Sequence, residues 1–199
     1  PWLSTKKIEL GMCPVDALRV SYTGELGWEL HHPIEMQNYL FDLLENSGEK
    51  FNLKLVGARA QNWLRLEKSY KAFGNELGRD ATPLESGMKR FVNLEKDFLG
   101  KSRMKSVGIR SKCVTLLIDG PEDADPWGRE AIYTKNGIKA GRLTSGGYSV
   151  VFNKSIGMGY VNPAYMSIGT ELRIKMFDQF WKAIVVEDSP YDPSNSAIK

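Results

Sequence analysis

The chain has 199 residues, 42% hydrophobic and 26% charged, the make-up of a globular protein able to bury one good core or two modest ones. Its 27 basic residues are nearly matched by 24 acidic ones; a net charge of +3 with no basic block argues against a nucleic-acid surface. No run of about 18 apolar residues occurs, so no membrane span is implied.

The opening residues, Pro1-Trp2-Leu3, lack the basic-then-apolar pattern of a secretory leader. Residues 8–13 and 15–22 read as extended. The string Arg19-Val20-Ser21-Tyr22-Thr23-Gly24-Glu25-Leu26-Gly27-Trp28-Glu29-Leu30 reads as strand, tight turn, strand. Gly24 and Gly27 free the backbone to turn and to lie close to something flat, and Glu25 is presented between them. The adjacent pair His31 and His32 is too small a set for zinc and reads as a strand end before Pro33.

Pro33 suits the first turn of a helix in which Met36, Tyr39, Leu40, Leu43 and Leu44 recur at helical spacing, with Gly48 as the expected C-terminal cap. A second helix is expected over 57–70, with Ala60, Trp63, Leu64 and Glu67 on one face. Thr82-Pro83-Leu84-Glu85 predicts a short helix capped by Thr82. Gly100-Lys101-Ser102 is not a phosphate loop, because the glycine required five positions earlier is Glu95. Beyond Lys112 the pattern changes to short β-like runs at 114–119, 131–134, 139–144, 155–161, 171–176 and 182–186, which argue a small barrel or sandwich. Asn136-Gly137 predicts a two-residue hairpin turn. Cys13 and Cys113 form no C-x-x-C and read as inert thiols in a reducing compartment, with one disulfide as the alternative.

The string Tyr-Thr-Gly-Glu-x-Gly-Trp-Glu-Leu resembles the signature of the aminomethyltransferase family, the glycine-cleavage T-protein and its relatives. Leu64-Arg65-Leu66-Glu67-Lys68, Phe73-Gly74-Asn75-Glu76-Leu77 with Thr82-Pro83-Leu84-Glu85, and Thr144-Ser145-Gly146-Gly147 follow in the family's order. The Glu-Lys-x-Tyr form and the Gly-Glu-Leu-Gly-Trp-Glu-Leu wording are similar to the folate modules of dimethylglycine and sarcosine dehydrogenases. The resemblance implies an α+β fold: the C-terminal portion of the T-protein folate-binding fold, a ferredoxin-like α/β segment over 1–108, then a small all-β barrel domain over 112–199.

It also implies tetrahydrofolate as cofactor, with the Glu25 carboxylate aimed inward at the pterin. A pterin offers a ring N–H and an amino group side by side, and a carboxylate accepts both. Tyr70 takes the place of a folate-contacting tyrosine, and Trp28 lines the same pocket. Where T-proteins carry an Arg one turn before Arg65, this chain has Gln61, and Arg59 lies two positions off the pattern. The implied reaction joins an aminomethyl carbon to N5 of tetrahydrofolate, giving 5,10-methylenetetrahydrofolate, with proximity supplying about 7–11 kcal/mol at best.

The family's catalytic Asp lies upstream of the matched region, so no catalytic residue is assigned. The chain is expected to be the C-terminal part of a longer polypeptide and to do little alone. Its expected partners are folate, a methylated amine and that N-terminal region, which is where FAD would bind; no G-x-G-x-x-G occurs here. The expected location is the cytoplasm, or the mitochondrial matrix in a eukaryote. The alternatives are a folate-dependent demethylase of another methyl donor, and a non-catalytic folate-binding or scaffolding subunit.

Overall fold

A computed structural model describes residues 1–121 and 123–199. By backbone contact the chain falls into two compact units, Pro1–Leu64 with Ser194–Lys199, and Arg65–Pro193.

The first unit is built on a three-stranded antiparallel sheet, β1 (Thr5–Leu10), β2 (Cys13–Leu18) and β3 (Glu29–His31), in that order. Extended structure does not run through 8–13: Leu10 pairs with Cys13, so Gly11-Met12 is a two-residue hairpin turn. Gly11 takes φ 62, and a Cβ there would meet the Tyr39 hydroxyl at 2.1 Å. That hydroxyl accepts the Met12 N–H at 3.1 Å, so Tyr39 is a core residue that also fixes the turn. Cys13, Val15 and Ala17 alternate inward at the strand period of two. They pack with Leu40, Met36 and Tyr39 of the following helical segment.

That segment is one 3-10 turn followed by α1 (Gln37–Gly48). Leu44, expected in the buried stripe, is exposed. Gly48 is not the terminating residue. The chain runs on through another 3-10 turn and stops at Asn52, whose φ of 57 lets Leu53 N–H reach Gly48 O and Asn52 N–H reach Glu49 O. Gly48 is small for packing instead: a Cβ would sit 2.7 Å from that of Leu53. The helix α2 (Ala58–Glu67) crosses from the first unit to the second and ends three residues before Tyr70.

In the second unit, α3 (Lys101–Val107) precedes six strands. These are β4 (Lys112–Ile118), β5 (Ala131–Thr134), β6 (Lys139–Ser149), β7 (Lys154–Val161), β8 (Glu171–Met176) and β9 (Gln179–Val186). All pair antiparallel and close as β4-β7-β6-β5-β8-β9, so no strand edge is left open. The inward residues, among them Leu116, Ile132, Leu143, Ile174 and Val185, form its core. A second cluster, Cys113, Ile156 and Met158, is covered by Leu66.

The Asn136-Gly137 hairpin is a three-residue loop, not the two-residue turn expected. Thr134 N–H bonds Ile138 O, and only Gly137 of the three takes positive φ. A type I′ turn needs positive φ at both central residues, and Asn136 does not supply it. The helix expected after Thr82 is a single turn, closed by Met88 N–H on Pro83 O.

Both cysteines are free and buried, and burial pushes the Cys113 thiol up to about 12. We expect neither to react with Ellman's reagent in the native protein and both to react in denaturant. Fast native labelling would contradict this packing.

Candidate functional site

The Glu25 segment is a loop, not a pair of strands. β2 stops at Leu18 because Val20 N–H turns back onto Leu18 O, and β3 resumes only at Glu29. The loop is held from inside. Arg19 is buried, and its guanidinium donates to Gly27 O (3.1 Å) and to Ile198 O (3.0 Å). The same cation lies 5.5 Å from the centre of the Trp28 ring. Ser21 Oγ accepts the Thr23 N–H at 3.3 Å. Gly24 takes φ 83, whereas Gly27 is needed for close approach to its own chain: a Cβ would lie 3.0 Å from that of Ser21.

The inward aim expected of Glu25 is not what the structure shows: on this braced loop Glu25 is exposed, and Trp28, expected to line the pocket, is 54% exposed. Glu25 lines none of the four described cavities. On α2, Arg59 and Gln61 are both exposed, and the Arg59 guanidinium stacks 5.4 Å from the Trp63 ring centre, one turn along its own helix. The loop therefore offers an acceptor-only carboxylate and an aromatic face. No G-x-G-x-x-G dinucleotide-binding motif occurs in the sequence.

Tyr70, in the second unit, is half-buried. Burial raises its phenol pKa, Arg90 opposes and Asp192 adds, so the hydroxyl keeps its proton at neutral pH. The backbone before Tyr70 ends α2 in a tight cap. Ser69 takes φ 53, Tyr70 N–H bonds Arg65 O, and Ser69 N–H bonds Leu66 O. Serine replaces the usual glycine because its hydroxyl is used twice, pairing with Thr115 Oγ1 (2.7 Å) and accepting from Ser189 N–H (2.9 Å).

The run Arg65 to Ser69 is buried throughout, although three of its five side chains are charged. Arg65 donates to Glu76 at 2.8 Å, with both side chains sealed from solvent. Glu67 accepts from Ser149 Oγ (2.5 Å), and Lys68 donates to the Tyr191 and Asp192 carbonyls (3.2 and 2.7 Å). Glu76 also accepts the Ala72 N–H (3.0 Å) and two hydroxyls, Thr144 Oγ1 and Ser145 Oγ, both at 2.6 Å. Neighbouring strand residues normally face opposite ways; a register shift in β6 between Leu143 and Ser145 brings both hydroxyls to one carboxylate oxygen. Burial would raise the Glu76 carboxyl, but Arg65 and these hydrogen bonds outweigh it, and its pKa lies below the ordinary value. Thr144 and Ser145 thus help to hold the buried Glu76 carboxylate.

These features define a protein that joins a small α/β segment to a closed six-stranded antiparallel barrel. The family model described as "GCVT N-terminal domain" matches residues 1–96, and "Glycine cleavage T-protein C-terminal barrel domain" matches 112–192. The chain belongs to the aminomethyltransferase, or glycine-cleavage T-protein, family. It is 38% identical to the mitochondrial dimethylglycine dehydrogenase of Homo sapiens over 194 residues, 94% of this chain and 22% of that protein. It is 36% identical to the aminomethyltransferase of Clostridium botulinum (strain Okra / Type B1) over 179 residues, 87% of this chain and 47% of that one. The crystal structure of glycine cleavage system aminomethyltransferase T from Bartonella henselae superposes with a TM-score of 0.79 at 26% identity, covering 89% of this chain and 50% of the other. The chain thus spans about a fifth of the dimethylglycine dehydrogenases and about half of the aminomethyltransferases it matches. Among the described residues no helix is long and apolar enough to cross a membrane, and no cluster of His, Cys, Asp and Glu could hold a metal.

Proposed function

We propose that the chain is a tetrahydrofolate-binding module for one-carbon transfer that yields 5,10-methylenetetrahydrofolate. It would work within a longer enzyme similar to dimethylglycine dehydrogenase or to the T-protein. Glu25 takes the pterin N–H and amino groups, and Trp28, Tyr70, Arg59 and Gln61 are the other candidate folate contacts. The supporting observation is the ordered match of both family models, with Glu25 at the signature position of a loop fastened from inside by Arg19. Glu25 is exposed, so in this reading the wall facing it is supplied by the longer enzyme; the relatives carry at least as much chain outside the matched region as within it. The acidic group that handles the proton, any FAD, the methylated amine and a matrix or cytoplasmic location belong to that larger protein.

The test is calorimetry of tetrahydrofolate binding to the native polypeptide. Glu25→Gln should weaken it by roughly 1.5–3 kcal/mol, the range for hydrogen bonds to a charged group. Tyr70→Ala should weaken it with an unchanged melting temperature. Equal affinity of the Glu25 variant removes that residue from the site. Absence of folate binding altogether favours the scaffolding reading.

A further inference from the structure

A groove of about 840 Å³ lies in the second unit between α3 and the segment 91–100. Phe91, Phe98, Leu99 and Met104 give it an apolar lining; Phe91 is 66% exposed and Leu99 wholly so. Arg79, Lys96, Arg103 and Arg110 also line it, and among the described residues no acidic side chain does. Glu95 and Asp97 belong to the same segment but not to the lining. Arg110 is committed to Glu85 at 3.0 Å. Arg79, Lys96 and Arg103 have no ion-pair partner among the described residues. A chain whose charges nearly balance overall thus gathers three uncompensated cations around one exposed apolar hollow.

We propose that this groove docks an acidic polypeptide segment carrying aliphatic or aromatic side chains. Apolar anchors fill the hollow beside Phe91 and Leu99, while carboxylates meet Arg79, Lys96 and Arg103. Exposed apolar area of this kind, ringed by polar groups, marks an interaction surface. Cations set along the walls of a concavity suit an inserted chain segment better than a flat lipid face, and like-charged ligands are excluded.

The probe is a fluorescein-labelled peptide alternating Glu with Leu and Phe, titrated with the full chain by fluorescence anisotropy. Binding should saturate, weaken as salt rises, and fall at least ~tenfold in Arg79→Glu/Arg103→Glu. Leu99→Ser should weaken it with its salt dependence unchanged. Lys105→Glu, on α3 but outside the groove, should leave it intact. Equal binding of a probe with Lys in place of Glu, equal loss in Lys105→Glu, or no saturable binding overturns the proposal. Groove-dependent capture of phosphatidylserine vesicles without the peptide also overturns it, as does groove-dependent self-association in light scattering. Melting curves of each variant establish that it is folded; where the double reversal is not, Leu99→Ser and Lys96→Ala carry the test.

Discussion

Replacing Glu76 with Gln should destabilise the second unit by about 3–5 kcal/mol, the range for removing one partner of a buried ion pair. The substitution keeps the side-chain shape, so little of the loss is a cavity. Four donors converge on the Glu76 carboxylate, from Arg65, Ala72, Thr144 and Ser145. An amide has one acceptor oxygen, and its NH2 must face two of those donors whichever way it turns. The hydroxyls of Thr144 and Ser145 can rotate to accept, but the Arg65 guanidinium cannot. Arg65 is 1% exposed, so water does not replace the lost charge. The paired change Arg65→Met with Glu76→Leu should cost less than the sum of the single changes, because neither charge is then left alone. Thermal melting followed by near-ultraviolet circular dichroism measures all of these. A Glu76→Gln protein that melts with the parent would show that the pair does not hold this unit.

Much of this fold could be read from local pattern. The barrel strands were legible because turn residues bracket short β-rich runs, and the Cys13-Val15-Ala17 alternation follows from strand geometry. Both helix ends depart from the local pattern because Asn52 and Ser69 adopt the left-handed conformation more usual for glycine. For Ser69 the deciding partners, Thr115 and Ser189, lie 46 and 120 positions away. The same distance hides the buried charges. Leu-Arg-Leu-Glu-Lys reads as an ordinary helix until Glu67 meets Ser149, 82 positions on, and Glu76 meets Ser145, 69 positions on. At the candidate site, the glycine-flanked Glu25 is visible in the string, but the brace beneath it is not. Arg19 is the first residue of that string, and its second anchor is the carbonyl of Ile198, 179 positions later.

Glu85→Ala should cost about 3 kcal/mol at pH 7, and the conservative Glu85→Gln should lose the part that depends on charge. The Glu85 side chain is wholly buried and accepts four bonds: Thr82 N–H at 2.7 Å, and Arg110 N–H, Nε and Nη2 at 3.0 Å each. Its own N–H returns to Thr82 Oγ1 at 3.3 Å, a reciprocal capping box around Pro83-Leu84 that forms although only one turn follows. Truncation to Ala leaves the Thr82 and Arg110 amides without their acceptor, at about 1–3 kcal/mol for each one kept from water.

The charge-dependent part shows in acid. Burial draws the Glu85 carboxyl upward, but the Arg110 side chain and the two amides outweigh it and hold it at about 2, against an ordinary 4.5. Its folded value is thus depressed, so its stabilisation is complete above pH 4.5 and is lost as pH falls towards 2. At full strength that shift is worth about 3 kcal/mol. The Arg110 side chain is 57% exposed and screened by solvent, which reduces the expectation to about 2 kcal/mol. Glu76 titrates in the same direction, so the parent's acid unfolding alone does not isolate Glu85. The difference between the parent and Glu85→Gln does, since both keep Glu76. Urea midpoints taken at several pH values should show that gap closing below pH 4.5. A gap that stays constant into acid would mean that Glu85 acts through its shape and its capping bonds, and that its ion pair with Arg110 adds nothing to the fold.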